Sequence, residues 1–509
     1  MLTVRRCAPL ALLFLAGPAA AAARPIVYTV RVPAPETHVA EIEALVPVEG
    51  RQPIELMMAT WTPGFYKVED YAGRITELNA RTREGAPVAV EKARPNRWRL
   101  SAGRARSVTV TYRLACEQRS VTTNWISPEL AVLNGAATFL TLADGKPRPH
   151  EVRLVLPAAW KGVATALRRA GAEPHHYRAL DFDSLVDSPI VAGELDVHGW
   201  SVGSSRHELV DVGERTAWDG PRAARDLERM TGAAKRLWGS LPFERYVFLN
   251  VFRQGGGGLE HKDSTLLTAN PKTAGEPAGY RRWLPFATHE YVHAFNVKRL
   301  RPIELGPFDY EKAPTTRSLW ISEGLTNYYA ELLLSRAGLR DQAAFLASLS
   351  AQIASLQKQP GRLLQTVEES SLEVWTNSLS GVNPSEKTVS YYVKGHVIGF
   401  LLDARIRRAT RGRKSLDDAM RLACERYAGA RGFTAAEFEA VVEKIAGTRL
   451  RAFFDDALRS TNELDYTEAL DWYGLRFASG DGIVPWTLET RPEPKPDEAL
   501  RLRALLEAP

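Results

Sequence analysis

The sequence contains little cysteine, with three such residues among 509. Cys7 lies in an N-terminal segment that we expect to be removed, which leaves Cys116 and Cys424. Two thiols in a chain of this length exclude a disulfide-rich scaffold and a cysteine metal cluster. They could form one disulfide in an oxidising compartment, but their wide separation favours two isolated thiols.

The sequence also lacks a strong charge excess and, after its N-terminus, long apolar stretches. Its 66 basic and 60 acidic side chains give a net charge of +6, which does not indicate a nucleic-acid-binding surface. No later stretch resembles the roughly 20 apolar residues of a membrane helix, so we expect no transmembrane segment in the mature chain. With 45% hydrophobic and 25% charged residues, the composition is typical of a globular protein with several domains.

Residues 1–23 have the composition of a secretory signal peptide. Arg5 and Arg6 precede an apolar core, and an alanine run supplies the small residues that signal peptidase accepts. The segment predicts export with cleavage near Ala23, and its composition favours a bacterial periplasmic or secreted protein. An uncleaved membrane anchor is the alternative interpretation.

The periodicity of apolar residues divides the remaining chain into four segments. Residues 24–213 contain short alternating runs between turn signals, which predicts an N-terminal all-β domain of sandwich type. Residues 214–335 combine strand and helix patterns, and residues 336–477 are mainly helical. Residues 478–509 predict a linker-like tail, with a proline-rich, charged stretch at 491–497 that is followed by a short charged helix over 498–507. The predicted fold class is a multidomain α+β protein with an N-terminal all-β domain and a C-terminal helical domain.

An H-E-x-x-H motif begins at His289 and ends at His293, in a segment with helical periodicity. Residues i and i+4 of a helix share one face, so both imidazoles can bind one Zn²⁺ ion. Glu290 can serve as the general base of a metallopeptidase. Pro285 is compatible with this helix if it lies in the first turn. A helix with two surface histidines is the alternative.

Glu323 is the predicted third metal ligand. It lies in a second apolar helical pattern beside Trp320 and Ile321, where a carboxylate costs free energy unless it is paired or binds metal. Asn327, one turn later, could support the site through a hydrogen bond. His396 is a weaker alternative ligand, and a solvated glutamate at a helix start is the structural alternative.

These motifs belong to an ordered set that covers about residues 26–477. The set comprises WTPGFY (61–66), DYA (70–72), DSPI (187–190), GE (193–194), GGLEH (257–261), ST (264–265), HEYVHAFNVKRLRP (289–302), LWISEGLTNYY (319–329), YYVKG (391–395), LDY (464–466) and GL (474–475). It resembles the glycyl aminopeptidase family of zinc metallopeptidases, which are gluzincins. The resemblance implies a thermolysin-like catalytic domain in the 214–335 segment and one zinc ion bound by His289, His293 and Glu323.

The resemblance also implies that Gly257, Gly258, Glu260 and His261 form the exopeptidase motif, in which the acid holds the free α-amine of the substrate. The chemistry is reasonable, because glycine lets a substrate backbone approach closely and a carboxylate pairs with an ammonium group. His261 could contact substrate or could be an ordinary loop histidine. A glycine-rich surface loop is the alternative for the whole segment.

Tyr392 matches the position of the tyrosine that stabilises the oxyanion in related aminopeptidases. Tyr391 is the rival, and a core aromatic residue on the predicted helix 389–410 is the structural alternative. Family members usually carry a PDZ domain after the segment that matches GL (474–475), and the roughly 32 residues that follow here are too few for one.

The predicted function is that of a zinc-dependent aminopeptidase acting on peptides with a free N-terminus, with Glu290 as general base. A preference for N-terminal Gly or Ala is implied only by the resemblance. A zinc endopeptidase and an inactive periplasmic peptide-binding protein are the alternatives, and an intact Glu290 argues against the second. The sequence leaves the oligomeric state open, as well as whether the β domain shapes substrate access or only braces the fold.

Overall fold

The computed structural model describes residues 23–48, 53–376, 381–480, 482 and 484–507. The predicted signal peptide, apart from its last residue, therefore lies outside the described residues. No helix within these ranges is long and apolar enough to cross a membrane.

The described residues form 22 β-strands, most of which precede the first long helix. The first fifteen are β1 Ile26–Arg31, β2 Val39–Pro47, β3 Ile54–Met57, β4 Ile75–Thr82, β5 Ala89–Arg94, β6 Arg97–Ser101, β7 Ser107–Ala115, β8 Trp125–Ile126, β9 Leu130–Leu133, β10 Thr141–Leu142, β11 His150–Val155, β12 Gly162–Thr165, β13 Arg168–Arg169, β14 His176–Ala179 and β15 Ile190–Gly193. The others are β16 Leu195–Val202, β17 Ser205–Gly213, β18 Arg245–Phe252, β19 Gly257–Glu260, β20 Ser264–Ala269, β21 Leu475–Phe477 and β22 Leu488–Thr490.

The described residues form 13 α-helices, most of which lie in the second half of the chain, as the periodicity predicts. They are α1 Gly135–Thr138, α2 Phe182–Val186, α3 Gly220–Trp238, α4 Pro277–Val292, α5 Thr326–Arg336, α6 Gln342–Gln357, α7 Val367–Leu372, α8 Tyr391–Ala409, α9 Leu416–Tyr427, α10 Ala435–Ala446, α11 Arg451–Arg459, α12 Thr467–Tyr473 and α13 Pro496–Leu506. A π-helical turn, Trp320–Leu325, directly precedes α5.

The N-terminal strands form three sheets, with strand orders β13-β14-β11-β1-β2-β7-β4, β10-β3-β6-β5 and β12-β15-β9-β8. Strand β1 pairs in parallel with β11 and antiparallel with β2, where Val30 lies opposite Ile42. Alternate residues of β1 are buried, which is the period of two that a sheet covered on one face requires. The β-rich N-terminal domain predicted from the alternation is confirmed.

The boundary of this domain lies earlier than residue 213, where the sequence pattern placed it. Strands β16 and β17 belong to a five-stranded sheet of order β16-β17-β18-β20-β19. Strand β17 pairs in parallel with β18, with Leu209 opposite Phe248. Strand periodicity is the same in both sheets, so alternation could not separate them. The structure therefore moves the boundary to near residue 194.

Three clusters of buried apolar side chains form the core. One fills the N-terminal sheets, and the largest joins α3, α4 and the C-terminal helices. A small cluster, which includes Leu130, Val191, Val210 and Leu266, packs the N-terminal domain against the five-stranded sheet. Tyr66 of the N-terminal domain belongs to the largest cluster, so this domain reaches into the region of helix α4.

In the tail, the predicted short helix over 498–507 corresponds to α13, and the segment before it, predicted to be linker-like, contains the strand β22. Strand β22 pairs with β21, and α13 buries Leu502 and Leu505 against the helical core. Pro496 stands in the first turn of α13, where proline is favourable because its missing N–H has no helical partner. One of the prolines that indicated a linker therefore stands at the start of a helix.

Both cysteines are free thiols, in agreement with the expectation of two isolated groups. Cys116 is buried in the N-terminal domain, and Cys424 is half-buried on α9.

Candidate active site

Helix α4 carries the two histidines of the HEYVH motif in its last turn and at its end. The helix begins at Pro277, so Pro285 lies in its middle and not in the first turn, as the sequence analysis expected. At that position proline leaves one carbonyl of the preceding turn without its helical N–H partner. The rings of His289 and His293 are 4.5 Å apart between centroids and point to the same side.

The π-helical turn brings Glu323 against these histidines. Glu323 Oε2 lies 3.2 Å from His293 Nε2 and 3.6 Å from His289 Nε2, and the two Nε2 atoms are 2.9 Å apart. π-Helical turns often occur at functional sites. Two imidazole nitrogens and a carboxylate oxygen that converge in this way form the donor set of a catalytic zinc site.

A close contact between glycines holds the Glu323 turn against α8. A Cβ atom on Gly324 would lie 2.4 Å from Gly395 Cα, so neither backbone leaves room for a larger residue. This contact places Tyr391 and Tyr392, the first two residues of α8, beside the turn that carries Glu323. The glycines of two separate sequence motifs therefore act together to assemble the site.

The metal-binding group, formed by His289, His293 and Glu323, has two further carboxylates beside it, and all three carboxylates are buried. Glu260, Glu290 and Glu323 are each at most 4% exposed. The ligand atoms of Glu260, Glu290 and His293 all lie within 4.8 Å of one another, as do those of His289, His293 and Glu323. Glu260 Oε1 and Glu290 Oε2 are buried and have no hydrogen-bond partner among the described residues. Because buried carboxylates need partners, this cluster fits a divalent cation together with a cationic group of a ligand.

The charges of this cluster shift one another's pKa values. Burial and the neighbouring Glu260 carboxylate raise the pKa of Glu290 well above its usual range. Burial also raises the pKa of Glu260, although His293 and Lys298 oppose this effect. Burial favours neutral His293, but the Glu323 and Glu260 carboxylates raise its pKa to about 10. A carboxylate with a raised pKa accepts a proton readily, as a general base must.

Tyr392, and not Tyr391, faces the cavity beside the histidines. The Tyr392 ring lies 6.2 Å from that of His289, and both line a cavity of about 280 Å³ together with Asn327. The Tyr391 hydroxyl instead packs against Gly381, where a Cβ atom would lie 2.5 Å from it. Of the two tyrosines, Tyr392 is therefore the one that shares a cavity with His289.

Asn296 links the two parts of the metal-binding group, and the sequence analysis assigned it no role. Its carbonyl oxygen lies 3.0 Å from His293 Nδ1, and its Nδ2 donates to the Ile321 carbonyl at 2.7 Å and the Thr326 hydroxyl at 2.9 Å. A carbonyl that accepts from Nδ1–H leaves Nε2 free for metal. In the sequence, the position of Asn296 three residues after His293 was the feature that could have indicated this supporting role.

The GGLEH segment is not a loop but includes the edge strand β19. Among the described residues, β19 pairs with β20 alone, so its other edge is free. A Cβ atom on Gly258 would lie 2.4 Å from Glu290 Oε1, so only glycine fits beside this carboxylate as it stands. Gly257 has a φ of +149°, which side-chain-bearing residues rarely adopt. Glu260 ends the strand, close to Glu290 and His293.

His261 is buried and held by the N-terminal domain. Its Nδ1 lies 3.2 Å from Asp187 Oδ1, and Lys298 Nζ lies 2.6 Å from the same oxygen. Asp187 Oδ2 also accepts the backbone N–H of Lys262 at 2.7 Å. His261 is therefore not an exposed loop histidine. Asp187 and Lys298 occur in the motifs noted in the sequence, but nothing there indicated that they meet.

The N-terminal WTPGFY segment covers the same site. Gly64 has a φ of +96°, and a Cβ atom there would lie 2.4 Å from Glu260 Oε1. The Tyr66 hydroxyl donates to Glu323 Oε1 at 3.4 Å. The N-terminal domain thus contributes side chains to the site itself, which the sequence analysis left open.

Two family models match the chain. The Peptidase M61 N-terminal domain matches residues 27–194, and the M61 glycyl aminopeptidase model matches residues 282–398, which include His289, Glu323 and Tyr392. Together they cover more than half of the 509 residues. No curated protein sequence matches the chain significantly.

Solved structures share the fold over most of this chain. An aminopeptidase N family protein from Idiomarina loihiensis is 28% identical, with a TM-score of 0.84 over 89% of this chain and 79% of that protein. An M1 zinc metallopeptidase mutant from Deinococcus radiodurans, bound to a Tyr-Ser-Ala substrate, is 16% identical (TM-score 0.54, 87% and 95% covered). Yeast LTA4 hydrolase with bestatin is 13% identical (TM-score 0.53, 87% and 68% covered). The last two proteins are similar to this chain in fold.

On the family and structural matches, and with the metal-binding group in place, the chain belongs to the M61 glycyl aminopeptidase family of metallopeptidases and is a hydrolase of the aminopeptidase class.

Proposed function

We propose that the protein uses one zinc ion to remove single residues from the N-terminus of peptides, with a preference for glycine and then alanine. Glu260 binds the free α-amino group, Glu290 acts as general base, and Tyr392 stabilises the oxyanion. The description of the family as glycyl aminopeptidases supports the preference for glycine.

The short distance between Glu260 and the reactive centre carries this proposal. The ligand atoms of Glu260, Glu290 and His293 lie within 4.8 Å of one another. In a peptide, the α-nitrogen and the first carbonyl carbon are separated by two bonds of about 1.5 Å each. An ammonium group held by Glu260 therefore leaves space for one residue before the bond beside Glu290. Gly64 lies directly against Glu260, which limits the space beside that carboxylate.

His289, His293 and Glu323 are the residues that would hold the zinc ion. When bound, zinc acts as a Lewis acid and lowers the pKa of water towards neutrality. Asn296 keeps the His293 ring in the orientation that this binding needs, through the carbonyl 3.0 Å from Nδ1.

Glu290 and Tyr392 perform the proton transfer and the charge stabilisation. Glu290 takes a proton from the attacking water and then gives it to the leaving amine, and its raised pKa suits both transfers. Burial and the Glu323 carboxylate raise the pKa of Tyr392, so its hydroxyl keeps the proton that it donates to the oxyanion as a hydrogen bond.

The test is turnover of glycyl and alanyl arylamides by the zinc-loaded protein, beside an N-acetylglycyl arylamide. We expect cleavage of the free amines alone, loss of activity with a chelator, and recovery with added Zn²⁺. Metal analysis should find one zinc ion per chain. The Glu290→Gln variant should keep its zinc and lose about 10²–10⁴-fold in kcat, the range of general-base catalysis.

Two results would favour the alternative functions. Equal cleavage of the acetylated substrate would indicate an endopeptidase in which Glu260 has no recognition role. A zinc-loaded protein that cleaves neither these substrates nor a broad peptide mixture would indicate a peptide-binding protein.

The N-terminal segment supports export to the periplasm or the medium. N-terminal sequencing of the protein after expression in a bacterial host should find a mature chain that begins near residue 24. A chain that retains Arg5 and Arg6 would contradict this expectation.

A further inference from the structure

A cavity of about 750 Å³ adjoins Glu260 on the side of the N-terminal domain. Its lining includes Trp61, Gly64, Tyr66, Glu260 and Phe308. In the described part of the chain, neither the metal-binding residues nor the general base line this cavity. Glu260 therefore lies at the border between this cavity and the group that contains Glu290 and His293.

The Tyr66 side chain lies at the same border. It lines the cavity, is only 7% exposed, and its hydroxyl reaches Glu323 Oε1 in the metal-binding group at 3.4 Å. Its ring packs edge-on against Trp375 at 5.9 Å between centroids, and Trp61 packs on the same Trp375 at 5.4 Å. These contacts fix the position of the Tyr66 ring.

The first residue of the substrate must fit under this ring. Its ammonium group pairs with Glu260 and its carbonyl lies at the metal-binding group, so its Cα lies between Glu260 and Glu323. Gly64 covers the first of these carboxylates and Tyr66 contacts the second. A hydrogen atom or a methyl group on that Cα fits beside the ring, whereas a longer side chain directed towards the cavity meets it.

The geometry points to Tyr66 as the residue that restricts the first substrate position to small side chains. This inference rests on the proposed function. The cavity behind the ring is a specificity pocket that Tyr66 closes, and removing the ring joins the pocket to the reactive centre.

The experiment compares wild type, Tyr66→Ala and Tyr66→Phe with glycyl and leucyl arylamides. Wild type should prefer the glycyl substrate in kcat/KM. Tyr66→Ala should raise the leucyl-to-glycyl ratio by about tenfold or more, the discrimination that a few methylene groups provide in a pocket. Tyr66→Phe keeps the ring and loses the contact to Glu323, so its ratio should stay within about threefold of wild type, whatever its overall rate.

Two additions keep the result interpretable. Tyr66→Leu retains apolar packing against Trp375 and tests the same opening if Tyr66→Ala does not fold. Calorimetric titration with glycinamide and leucinamide gives the leucyl-to-glycyl ratio of binding affinities, which does not require turnover. If no arylamide is cleaved, the proposed function fails, and the binding ratio still decides the role of Tyr66.

Three outcomes would overturn the inference. Wild type could cleave leucyl and glycyl substrates equally well, which would mean that the pocket is already open. Tyr66→Ala and Tyr66→Leu could leave the ratio unchanged, or Tyr66→Phe could shift it as far as Tyr66→Ala does. In the last case the hydroxyl, and not the ring, would determine specificity.

Discussion

Replacing Glu260 with glutamine removes the charge that should hold the substrate's α-ammonium group and preserves the shape of the side chain. Glu260 is 4% exposed, and its Oε1 has no hydrogen-bond partner among the described residues. The substrate ammonium would therefore supply the hydrogen bond that this oxygen lacks, beside the favourable charges of His293 and Lys298. In the variant, this ammonium is buried against a neutral amide.

The size of the effect follows from burial. Two unit charges about 3 Å apart at an effective dielectric constant of about 20 interact by roughly 5 kcal/mol. Desolvation of both groups offsets part of this energy, and removing one partner of a buried charge pair costs about 2–5 kcal/mol. At about 1.4 kcal/mol per factor of ten, kcat/KM for a glycyl arylamide should fall roughly 30- to 4000-fold.

The assay is steady-state hydrolysis of a glycyl arylamide by Glu260→Gln, with Glu498→Gln as a matched control. Glu498 is also 4% exposed but lies on α13 in the tail. The control should keep wild-type kcat/KM, and zinc content should be equal in all three proteins. A Glu260→Gln enzyme within about threefold of wild type would refute recognition of the α-amine by this residue.

Three further predictions follow from particular contacts. Tyr392→Phe should lower kcat about 10²-fold or more while Tyr391→Phe changes it little, and comparable losses in both would place the oxyanion donor elsewhere. Gly258→Ala should reduce kcat with little loss of zinc, because its Cβ displaces the Glu290 carboxylate, and unchanged turnover would show that the strand yields. Burial raises the pKa of Asp211 to about 6, above the unfolded value near 3.9. The folded state therefore binds more protons between pH 4 and 6, and the unfolding free energy should fall by up to about 3 kcal/mol as pH rises through that window. Urea unfolding of Asp211→Asn should lack this part of the pH dependence, and an unchanged dependence would assign it to other groups.

Local patterns were sufficient where a short segment determines its own conformation. The spacing of His289 and His293 requires only a helix, and the apolar surroundings of Glu323 indicate a buried carboxylate that needs a partner. The periods of two and 3.6 located most strands and helices to within a few residues. The structure brings these three side chains together as one group of potential ligands.

Local patterns failed where a choice depended on contacts between distant segments. Strands β16 and β17 have the same alternation as those of the N-terminal domain, and only pairing with β18 assigns them to the second sheet. Proline-rich composition predicted a linker before the short helix of the tail, although α13 already begins at Pro496 and the segment before it contains the paired strand β22. Pro285 was assigned to a first turn because the start of the helix at Pro277 has no sequence signal beyond proline itself.

The sequence by itself determined the side chains available to this protein, namely His289 and His293 at helical spacing, Glu290 between them, and Glu323 in an apolar segment. Only the tertiary structure decided which distant side chains surround them. Tyr66 lies 257 positions from Glu323 in the chain, and their contact depends on the packing of two domains. Such contacts leave no periodic signal, because packing across domains depends on shape and burial and not on local spacing.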